Sequence, residues 1–513
     1  MMVLNDPSAI ASWLQARVSG GLQCDSRSLL PGDGFIAWPG AATDGRRFVA
    51  DALAGGCAAA LVEKTGAEAF GFADDERILA VPGLKALAGP IASVFYGEPS
   101  AAMALVAITG TNGKTSCAWW TAQLLSALER PCAVIGTLGI GQPPKAVAES
   151  NTLVSTGLTT PDPVRLQASL RALSEQGVRA VALEASSIGL VEGRLNATQV
   201  RVAVFTNFTQ DHLDFHGDMA TYWAAKASLF DWPGLAAAVV NLDDPRGADL
   251  AAQARAHGLD LWTVGLEAGS EAPRLSAAGI TVTRSGMRLT VVERDAAGAV
   301  RASHPLAMPL VGRYNLANLL CVLGAVRALG LPLDDAVHAC HALTPVPGRM
   351  EQVPTNEAEP MVLVDYAHTP DALEKALQAL QPVAKQRGGA LWVVVGCGGD
   401  RDATKRPLMA SVAEREAAHV VFTSDNPRSE EPLAILQQMQ AGLQRVAQAR
   451  IEPDRAAAIA LAVQGAQPTD VVLIAGKGHE DYQEIQGVKR PFSDQAHAAC
   501  ALAQRSAARG VGA

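Results

Sequence analysis

A short glycine-containing segment carries the clearest chemistry in this sequence. Gly110-Thr111-Asn112-Gly113-Lys114-Thr115-Ser116 follows the apolar run MALVAIT (103–109) and precedes the helix-compatible stretch CAWWTAQLLSAL. Glycines let backbone N–H groups close around phosphates at the start of a helix, while a lysine neutralises their charge and a threonine hydroxyl can ligate Mg²⁺. The generic phosphate-loop pattern requires glycine where Ile108 stands, so this is a shorter variant. The alternative is a glycine-rich turn with an exposed lysine.

Four further polar clusters in the last third of the chain each follow an apolar run. The runs are MVLV (361–364), LWVVV (391–395), VVFT (420–423) and VVLIA (471–475), and the clusters begin at Asp365, Gly396, Asp425 and Gly476. In open α/β sheets ligands bind beyond the carboxyl ends of the strands. We therefore expect these four clusters to converge on one rim of a sheet.

Parallel sheets are the elements that must position these residues. Short β-branched runs alternate with Ala- and Leu-rich helical stretches, which predicts the α/β class. At ~150 residues per domain, 513 residues suggest roughly three domains. Turn-rich segments place them at 1–97, 98–347 and 348–513: a small α/β domain, a central phosphate-loop domain with a mainly parallel sheet, and a Rossmann-like domain. Alternation over 280–306 predicts antiparallel hairpins beside the central sheet.

Composition excludes several classes of protein. With 49% hydrophobic and 18% charged residues the chain is globular rather than disordered. A net charge of −9 gives no general reason to bind nucleic acid or anionic membrane. No signal peptide and no run of ~18 apolar residues is evident, so we expect a cytoplasmic protein without membrane insertion. The eight cysteines have no C-x-x-C spacing, which favours buried small hydrophobes over disulfides or a zinc site.

Beyond the phosphate loop, a set of motifs runs through the second and third predicted domains, and a segment around Ser26 belongs to the first. TGTNGKTS resembles the ATP loop of the Mur ligase and folylpolyglutamate synthetase superfamily, whose members form amide bonds through an acyl phosphate. Further motifs are similar to the Mur ligases that add the third residue of the peptidoglycan peptide. These are LEASSIGLVEGR (183–194), VFTNFTQDHLDFHGDMATYWAAK (204–226), GRYNLANLL (312–320), GRME (348–351), DYAHTPDALEKAL (365–377), GCGGDRD (396–402), DNPR (425–428) and AGKGHEDYQ (475–483).

The resemblance implies that ATP phosphorylates a carboxylate and that an amine then attacks the acyl phosphate, releasing ADP and phosphate. Both steps move negative charge, so metal ions and fixed cations suit them. Gly110 to Ser116 are implied as ATP-binding residues, with Lys114 also catalytic. Implied ligands of two Mg²⁺ ions are Thr115, Glu184, His212 and Lys226, the last three also catalytic. Asn318, Arg349 and Asp365 match contacts to adenine, phosphate and ribose.

Lys226 matches a lysine that is carbamylated in the family. Addition of CO₂ turns the cation into a carboxylate-like anion that can support Mg²⁺. Without the resemblance, Lys226 would be a lysine on a solvated helical face. The neighbouring Asp214 and His216 favour loop and capping roles, and for His368 a structural and a ligand-contacting role are both open.

The substrate implied by the resemblance is UDP-N-acetylmuramoyl-L-alanyl-D-glutamate. Ser26 and the backbone of 41–43 correspond to contacts with its uridine end. Thr159, Thr160, Ser187 and Arg194 correspond to residues that hold the sugar-peptide, where arginine suits a carboxylate or phosphate. Relatives often carry histidine where this chain has Ile188, so no role is assigned there.

The resemblance implies that the DNPR cluster governs the choice of incoming amino acid. meso-Diaminopimelate has a carboxylate at its far end, whereas L-lysine has only an ammonium there. A guanidinium binds the extra carboxylate and repels the ammonium, so Arg428 favours diaminopimelate. The other implied contacts are Asp425, Asn426, Pro427, Arg401, Gly476 and Glu480, with Glu480 receiving an ammonium. On turn chemistry alone, DNPR is a proline turn with a helix cap.

Two alternative functions stay open. One is another ligase of the superfamily, adding L-lysine or acting on folate, against which Arg428 and the uridine-binding-like first domain argue. The other is a phosphate-loop nucleotide switch without ligase chemistry, which has no use for Glu184, His212 and Lys226 together. We expect the protein to act as a monomer.

Overall fold

The computed structural model describes residues 2–40, 43–72, 75–145, 152–266, 272–283, 286–295, 297–309, 311–356, 358–445 and 449–510. These residues form three sheets of five, ten and six strands with flanking helices, and a fourth, two-stranded sheet, so the α/β class is confirmed. Each sheet lies within one of the three predicted domain ranges, whose boundaries remain a prediction. None of the described helices combines the length and apolar character needed to cross a membrane.

The first sheet is wholly parallel. Its strand order is β1-β5-β4-β3-β2. Hydrophobic clusters cover both faces because successive strand residues point to opposite sides: Leu61 packs on one face and Val62 on the other. The elements are β1 Met2–Val3, α1 Pro7–Gln15, β2 Leu22–Gln23, β3 Gly34–Ala37, α2 Val49–Ala54, β4 Ala59–Glu63, β5 Ile78–Val81 and α3 Leu84–Phe95.

The central sheet has ten strands in the order β15-β14-β13-β12-β11-β10-β6-β9-β7-β8. The strand before the phosphate loop, β6, lies between β10 and β9 in parallel register. The elements are β6 Ala104–Thr109, α4 Lys114–Ala127, β7 Cys132–Gly136, β8 Gly139–Gly141, α5 Pro163–Glu175, β9 Ala180–Glu184, α6 Ser187–Val191, β10 Val202–Phe205, α7 Leu213–His216, α8 Met219–Ala227, β11 Ala237–Asn241, α9 Gly247–Ala256, β12 Asp260–Gly265, β13 Leu275–Thr283, β14 Gly286–Arg294, β15 Val300–Met308, α10 Arg313–Ala328 and α11 Leu333–Ala339.

The predicted hairpins are present at one edge of this sheet. Strands β13, β14 and β15 pair antiparallel in succession. The parallel part is buried on both faces: Val106 and Ile108 pack on one side, whereas Leu105 and Ala107 pack on the other. This double burial is why β6 reads as a continuous apolar run.

The third sheet has the order β16-β17-β21-β18-β19-β20. Strands β17, β21, β18, β19 and β20 are parallel to one another. Its four predicted strands are confirmed to within one residue. The elements are β16 Glu351–Gln352, β17 Met361–Asp365, α12 Pro370–Arg387, β18 Leu391–Val395, α13 Lys405–Glu416, β19 His419–Phe422, α14 Pro432–Gln440, β20 Ala449–Ile451, α15 Arg455–Gly465, β21 Val471–Ala475, β22 Tyr482–Ile485, β23 Val488–Pro491 and α16 Asp494–Gly510.

The cysteines follow the prediction with two exceptions. All eight are free, and six are buried. Cys24 is only partly buried and Cys500 is exposed. The prediction that every cysteine is buried was therefore wrong. Cys500 lies at an exposed position of α16, the last described helix.

Candidate active site

The phosphate loop connects β6 to α4, and its two glycines are required by close packing. Gly110 has φ 144°, and a Cβ there would lie 1.9 Å from Oγ1 of Thr206. Gly113 has φ 85°, and a Cβ there would lie 2.4 Å from Oδ1 of Asn318. A side chain at either position would meet both a strained backbone and a clash. The loop therefore has the tight form that brings a backbone close to phosphate.

Two lysines, the buried Lys226 and the partly buried Lys114, meet at this loop. Nζ of Lys114 donates to the carbonyl oxygens of Gly110 and Thr111, each at 2.8 Å. Nζ of Lys226 donates to the same Gly110 oxygen at 2.8 Å and lies 4.5 Å from the centre of the Tyr222 ring. Lys226 is 1% exposed, and burial lowers the pKa of its amine well below the usual range, with Lys114 lowering it further against the opposing pull of Asp211. The alternative of Lys226 as a lysine on a solvated helical face is therefore excluded.

A hydroxyl and a carboxylate lie together beside the lysines. Thr115 Oγ1 donates to Glu184 Oε2 at 3.0 Å and accepts from Nη2 of Arg349 at 3.0 Å. Thr137 holds the same carboxylate through its backbone N–H and its hydroxyl, at 2.8 and 3.1 Å. Mg²⁺ prefers oxygen ligands and commonly takes one or two from the protein together with phosphates and waters. Thr115 and Glu184 therefore fit a Mg²⁺ ion bound together with a nucleoside triphosphate.

His212 lies in a separate small cluster. Its Nε2 is 3.4 Å from Oδ2 of Asp211, and Nε2 of His368 is 3.9 Å from the same oxygen. Burial acts to raise the pKa of Asp211, but His212, His368 and Lys405 together outweigh it and hold the value at about 2. Among the described residues no three His, Cys, Asp or Glu side chains form a ready metal site. A second ion would need a further anionic ligand.

The predicted sugar-peptide residues adjoin Glu184. Thr160 Oγ1 donates to the Glu184 carbonyl at 2.6 Å, and Arg194 Nη1 donates to the Thr160 carbonyl at 2.8 Å. Ser187 Oγ lies 2.9 Å from Nε2 of His216. His216 is buried at the end of α7, and its ring nitrogen contacts Ser187 at the start of α6.

A cavity of about 820 Å³ joins these groups across the central and third sheets. Most predicted ATP and metal residues line it, as do Thr159 and Ser187. Asp365 reaches it from β17, where its carboxylate accepts from the backbone N–H groups of Met350 and Ala367 at 2.7 and 2.8 Å. Burial raises the pKa of Asp365, while Arg349 and these two N–H groups lower it. The nucleotide residues on the lining are Thr111, Asn112, Gly113, Lys114, Thr115, Ser116, Asn318, Arg349 and Asp365.

The four clusters of the third sheet converge as expected. Gly476 N–H donates to the Asp365 carbonyl at 3.1 Å, and a Cβ on Gly476 would lie 2.5 Å from Oδ2 of Asp425. Asn426 Nδ2 donates to Glu480 Oε2 at 2.8 Å. This rim therefore gathers Asp425, Asn426, Gly476 and Glu480 into one cluster.

Arg428 completes this rim in an unusual backbone conformation. Its φ is 51°, and its backbone is held by two hydrogen bonds, from its own N–H to the Glu484 carbonyl and from Gln486 N–H to its carbonyl. Its Nη1 donates to the Gly399 carbonyl at 2.7 Å, and its Nε lies 3.8 Å from Oε2 of Glu484. Pro427, which precedes Arg428, is buried. Arg401, two residues after Gly399 in the chain, is exposed.

Of the predicted uridine contacts, Ser26 and residue 43 lie in the first domain range and do not line the 820 Å³ cavity. Ser26 begins a short 3₁₀ turn capped by Asp25, whose carboxylate pairs with Arg27 at 2.7 Å. Residues 41 and 42 lie outside the described residues.

Sequence reasoning missed three residues that organise the site: Thr137, Asp211 and Lys477. Thr137 carries no motif signal, because its role depends on β7 lying beside β9. Asp211 adjoins His212 in the QDHLD motif, and Lys477 lies within AGKGHE, so both stood in segments already singled out.

Comparison with known proteins agrees with this geometry. The sequence matches the Mur ligase middle domain over residues 108–326 and the Mur ligase glutamate ligase domain over residues 348–478. It is 56% identical over 500 residues to the UDP-N-acetylmuramoyl-L-alanyl-D-glutamate--2,6-diaminopimelate ligase of Acidovorax sp. (strain JS42), covering 96% of each chain. It is 47% identical over 501 residues to the protein of the same name from Janthinobacterium sp. (strain Marseille), covering 97% of each.

Solved structures of Mur ligases also resemble this protein. A structure of a UDP-N-acetylmuramoyl-L-alanyl-D-glutamate--2,6-diaminopimelate ligase superposes with a TM-score of 0.62 at 34% identity, covering 95% of each chain. MurF from Acinetobacter baumannii shares the fold at 20% identity, with a TM-score of 0.64 and coverage of 91% of this chain and 95% of that one. Fold and site define an ATP-dependent ligase that forms amide bonds. The chain belongs to the Mur ligase family. The nucleotide-switch alternative is therefore excluded.

Proposed function

We propose that this ligase joins meso-diaminopimelate to UDP-N-acetylmuramoyl-L-alanyl-D-glutamate with consumption of ATP, in the synthesis of peptidoglycan precursors. The observation that carries the proposal is the rim on which Arg428 lies with the carboxylates of Asp425 and Glu480. One guanidinium beside carboxylates suits a zwitterionic amino-acid head. The names of the relatives from Acidovorax and Janthinobacterium support the same substrates.

In the proposed reaction a substrate carboxylate attacks the γ-phosphorus of ATP and ADP leaves. The amine nitrogen then attacks the acyl carbon, loses a proton and displaces phosphate. Lys114 and Arg349 neutralise the charge that develops on the phosphoryl oxygens, while the loop glycines bring backbone N–H groups to them. Mg²⁺ held by Thr115 and Glu184 would supply further charge neutralisation.

We propose that Lys226 is carbamylated and supports a second Mg²⁺ together with His212. The amine must be neutral to attack CO₂, giving a carbamate and releasing a proton. Burial and the neighbouring Lys114 favour that neutral form. The product carbamate is an anion, which would attract the Lys114 ammonium, whereas a protonated Lys226 repels it.

The remaining predicted residues complete the proposal. Asn318 and Asp365 would contact the nucleoside of ATP, and Ser26 the uridine end of the sugar-peptide. Its peptide part would be held by Thr159, Thr160, Ser187 and Arg194, and the incoming amino acid by Arg401, Asp425, Asn426, Pro427, Arg428, Gly476 and Glu480. We further propose a monomer acting in the cytoplasm, where ATP is supplied.

Phosphate release by the purified protein tests the proposal. Release should require ATP, the sugar-peptide nucleotide and meso-diaminopimelate together, with L-lysine a poor replacement. Equal turnover with L-lysine would contradict the proposed amino-acid specificity. Release with a folate and glutamate instead would contradict the whole assignment.

A further inference from the structure

Lys477 is a buried charge with no part in the reaction proposed above. Its side chain has no solvent exposure. Nζ donates to Glu480 Oε2 at 2.9 Å and to Asn426 Oδ1 at 3.0 Å, and lies 5.5 Å from the centre of the Tyr482 ring. Burying an ammonium is costly unless it is paired, and a buried ion pair is weak evidence for stability as such. The position therefore calls for another role.

The lysine determines how Asn426 is oriented. Oδ1 of Asn426 accepts from Lys477 and from the backbone N–H of Glu484 at 2.9 Å. Because both neighbours are donors, the amide must present its oxygen to them and its Nδ2 to Glu480. Without the ammonium, one of the two reasons for this orientation disappears.

The lysine also determines which oxygen of Glu480 can meet a substrate. Oε2 accepts from both Lys477 and Asn426 Nδ2. Across the described residues, Oε1 has no hydrogen-bond partner. Glu480 therefore presents Oε1 in a fixed direction, while the Lys477 ammonium at Oε2 balances the charge of the carboxylate.

We propose that Lys477 is a positioning residue that fixes Glu480, directly and through Asn426, to receive the ammonium of the incoming amino acid. This inference rests on the proposed amino-acid site, and it assigns to Lys477 the geometry of that site rather than a contact with substrate. The same network ties the segments around Asn426 and Lys477 to the β22–β23 hairpin, since Glu484 lies in β22. Lys477 acts on amino-acid binding and leaves ATP binding unchanged.

A double-mutant cycle with Lys477→Met and Glu480→Gln tests this role by steady-state phosphate release. Lys477→Met should raise KM for the amino acid about tenfold, the scale of a lost hydrogen bond to a charged group, while KM for ATP stays within about twofold. If Lys477 acts through Glu480, the double variant should match Glu480→Gln within about threefold. Lys489→Met is the matched control, because Lys489 is exposed and contacts the same Tyr482 ring at 4.1 Å.

Two results would overturn the inference: an unchanged KM for the amino acid in Lys477→Met, or a double variant whose KM is the product of the two single effects. Should Lys477→Met fail to fold, the double variant, which buries no unpaired charge, is compared with Glu480→Gln alone. The proposed substrate is judged separately on the wild-type protein. If wild type uses L-lysine instead, that proposal fails, and the same cycle is run with L-lysine.

Discussion

The Nζ atoms of Lys114 and Lys226 share one acceptor, the carbonyl oxygen of Gly110, each at 2.8 Å. Two ammonium groups on one oxygen repel each other, and Lys226 is buried whereas Lys114 is partly buried. The pKa of each amine is lowered, chiefly by burial. Burial and the neighbouring Lys114 therefore favour the neutral amine at Lys226.

Replacement of Lys226 should therefore abolish turnover. Lys226→Ala removes the amine that would carry the carbamate, and we expect phosphate release to fall at least about a hundredfold, the scale of losing one charge-stabilising group. Formate or acetate should restore part of the activity by supplying a carboxylate. Exposed Lys64→Ala is the control. Wild-type activity in Lys226→Ala would remove the carbamate from the mechanism.

Arg428 should control the amino acid rather than the nucleotide. Arg428→Ala loses a charge-assisted contact, so we expect KM for meso-diaminopimelate to rise roughly tenfold to a hundredfold and KM for ATP to stay nearly constant. Steady-state kinetics with each substrate varied in turn measures this difference. Arg450→Ala, at an exposed position of the same sheet, should leave both values unchanged. An equal rise in both KM values would contradict the assignment.

Gly136 at the end of β7 should tolerate no side chain. A Cβ there would lie 2.2 Å from Oε1 of Glu184. Gly136→Ala must displace that carboxylate from Thr115, so we expect a higher Mg²⁺ requirement and lower kcat in a titration of phosphate release with MgCl₂. Gly55→Ala, whose nearest contact would be 3.3 Å, serves as control. An unchanged Mg²⁺ dependence would separate Glu184 from the metal.

His479 should make stability depend on pH. Burial, followed by Arg349 and Lys477, lowers its pKa to about 3. The unfolded chain takes up a proton at His479 below about pH 6.5, whereas the folded chain does not until about pH 3. Stability should therefore fall as pH drops through this range, with a contribution of at most about 1.4 kcal/mol per pH unit.

Urea unfolding of wild type and His479→Gln between pH 7 and pH 4 measures that contribution. The variant should show the flatter profile, while exposed His257→Gln should follow wild type. Parallel profiles for wild type and His479→Gln would show that His479 is protonated equally in both states.

Local patterns predicted the fold well because buried parallel strands leave a strong signal. The runs ending at Ile108, Val364 and Ala475 are apolar throughout, and each lies in a strand flanked by strands on both sides. The turn chemistry after them also predicted where the polar clusters lie. The family resemblance then supplied roles that spacing alone could not, and those roles for individual residues remain predictions.

Partners brought together by tertiary packing were beyond sequence reasoning. Thr137 meets Glu184 only because β7 and β9 are adjacent, although 47 residues separate them. Lys477 is charged, and charged residues are mostly exposed, so its burial against Asn426 had no local signal. Arg428 adopts a positive φ because β22 holds its backbone, which no feature of the DNPR motif indicates.

The phosphate loop is also joined to the third sheet. Asn112 Nδ2 donates to Oδ2 of Asp371, in the first turn of α12, at 3.2 Å, and Arg349 donates to Thr115. Binding of a nucleotide that alters these two hydrogen bonds would therefore also change the contacts of the domain that carries Arg428. By thermodynamic linkage, the factor by which ATP changes amino-acid affinity equals the factor by which the amino acid changes ATP affinity. The Asn112–Asp371 and Arg349–Thr115 contacts are therefore a direct route by which the nucleotide site and the third sheet can influence each other.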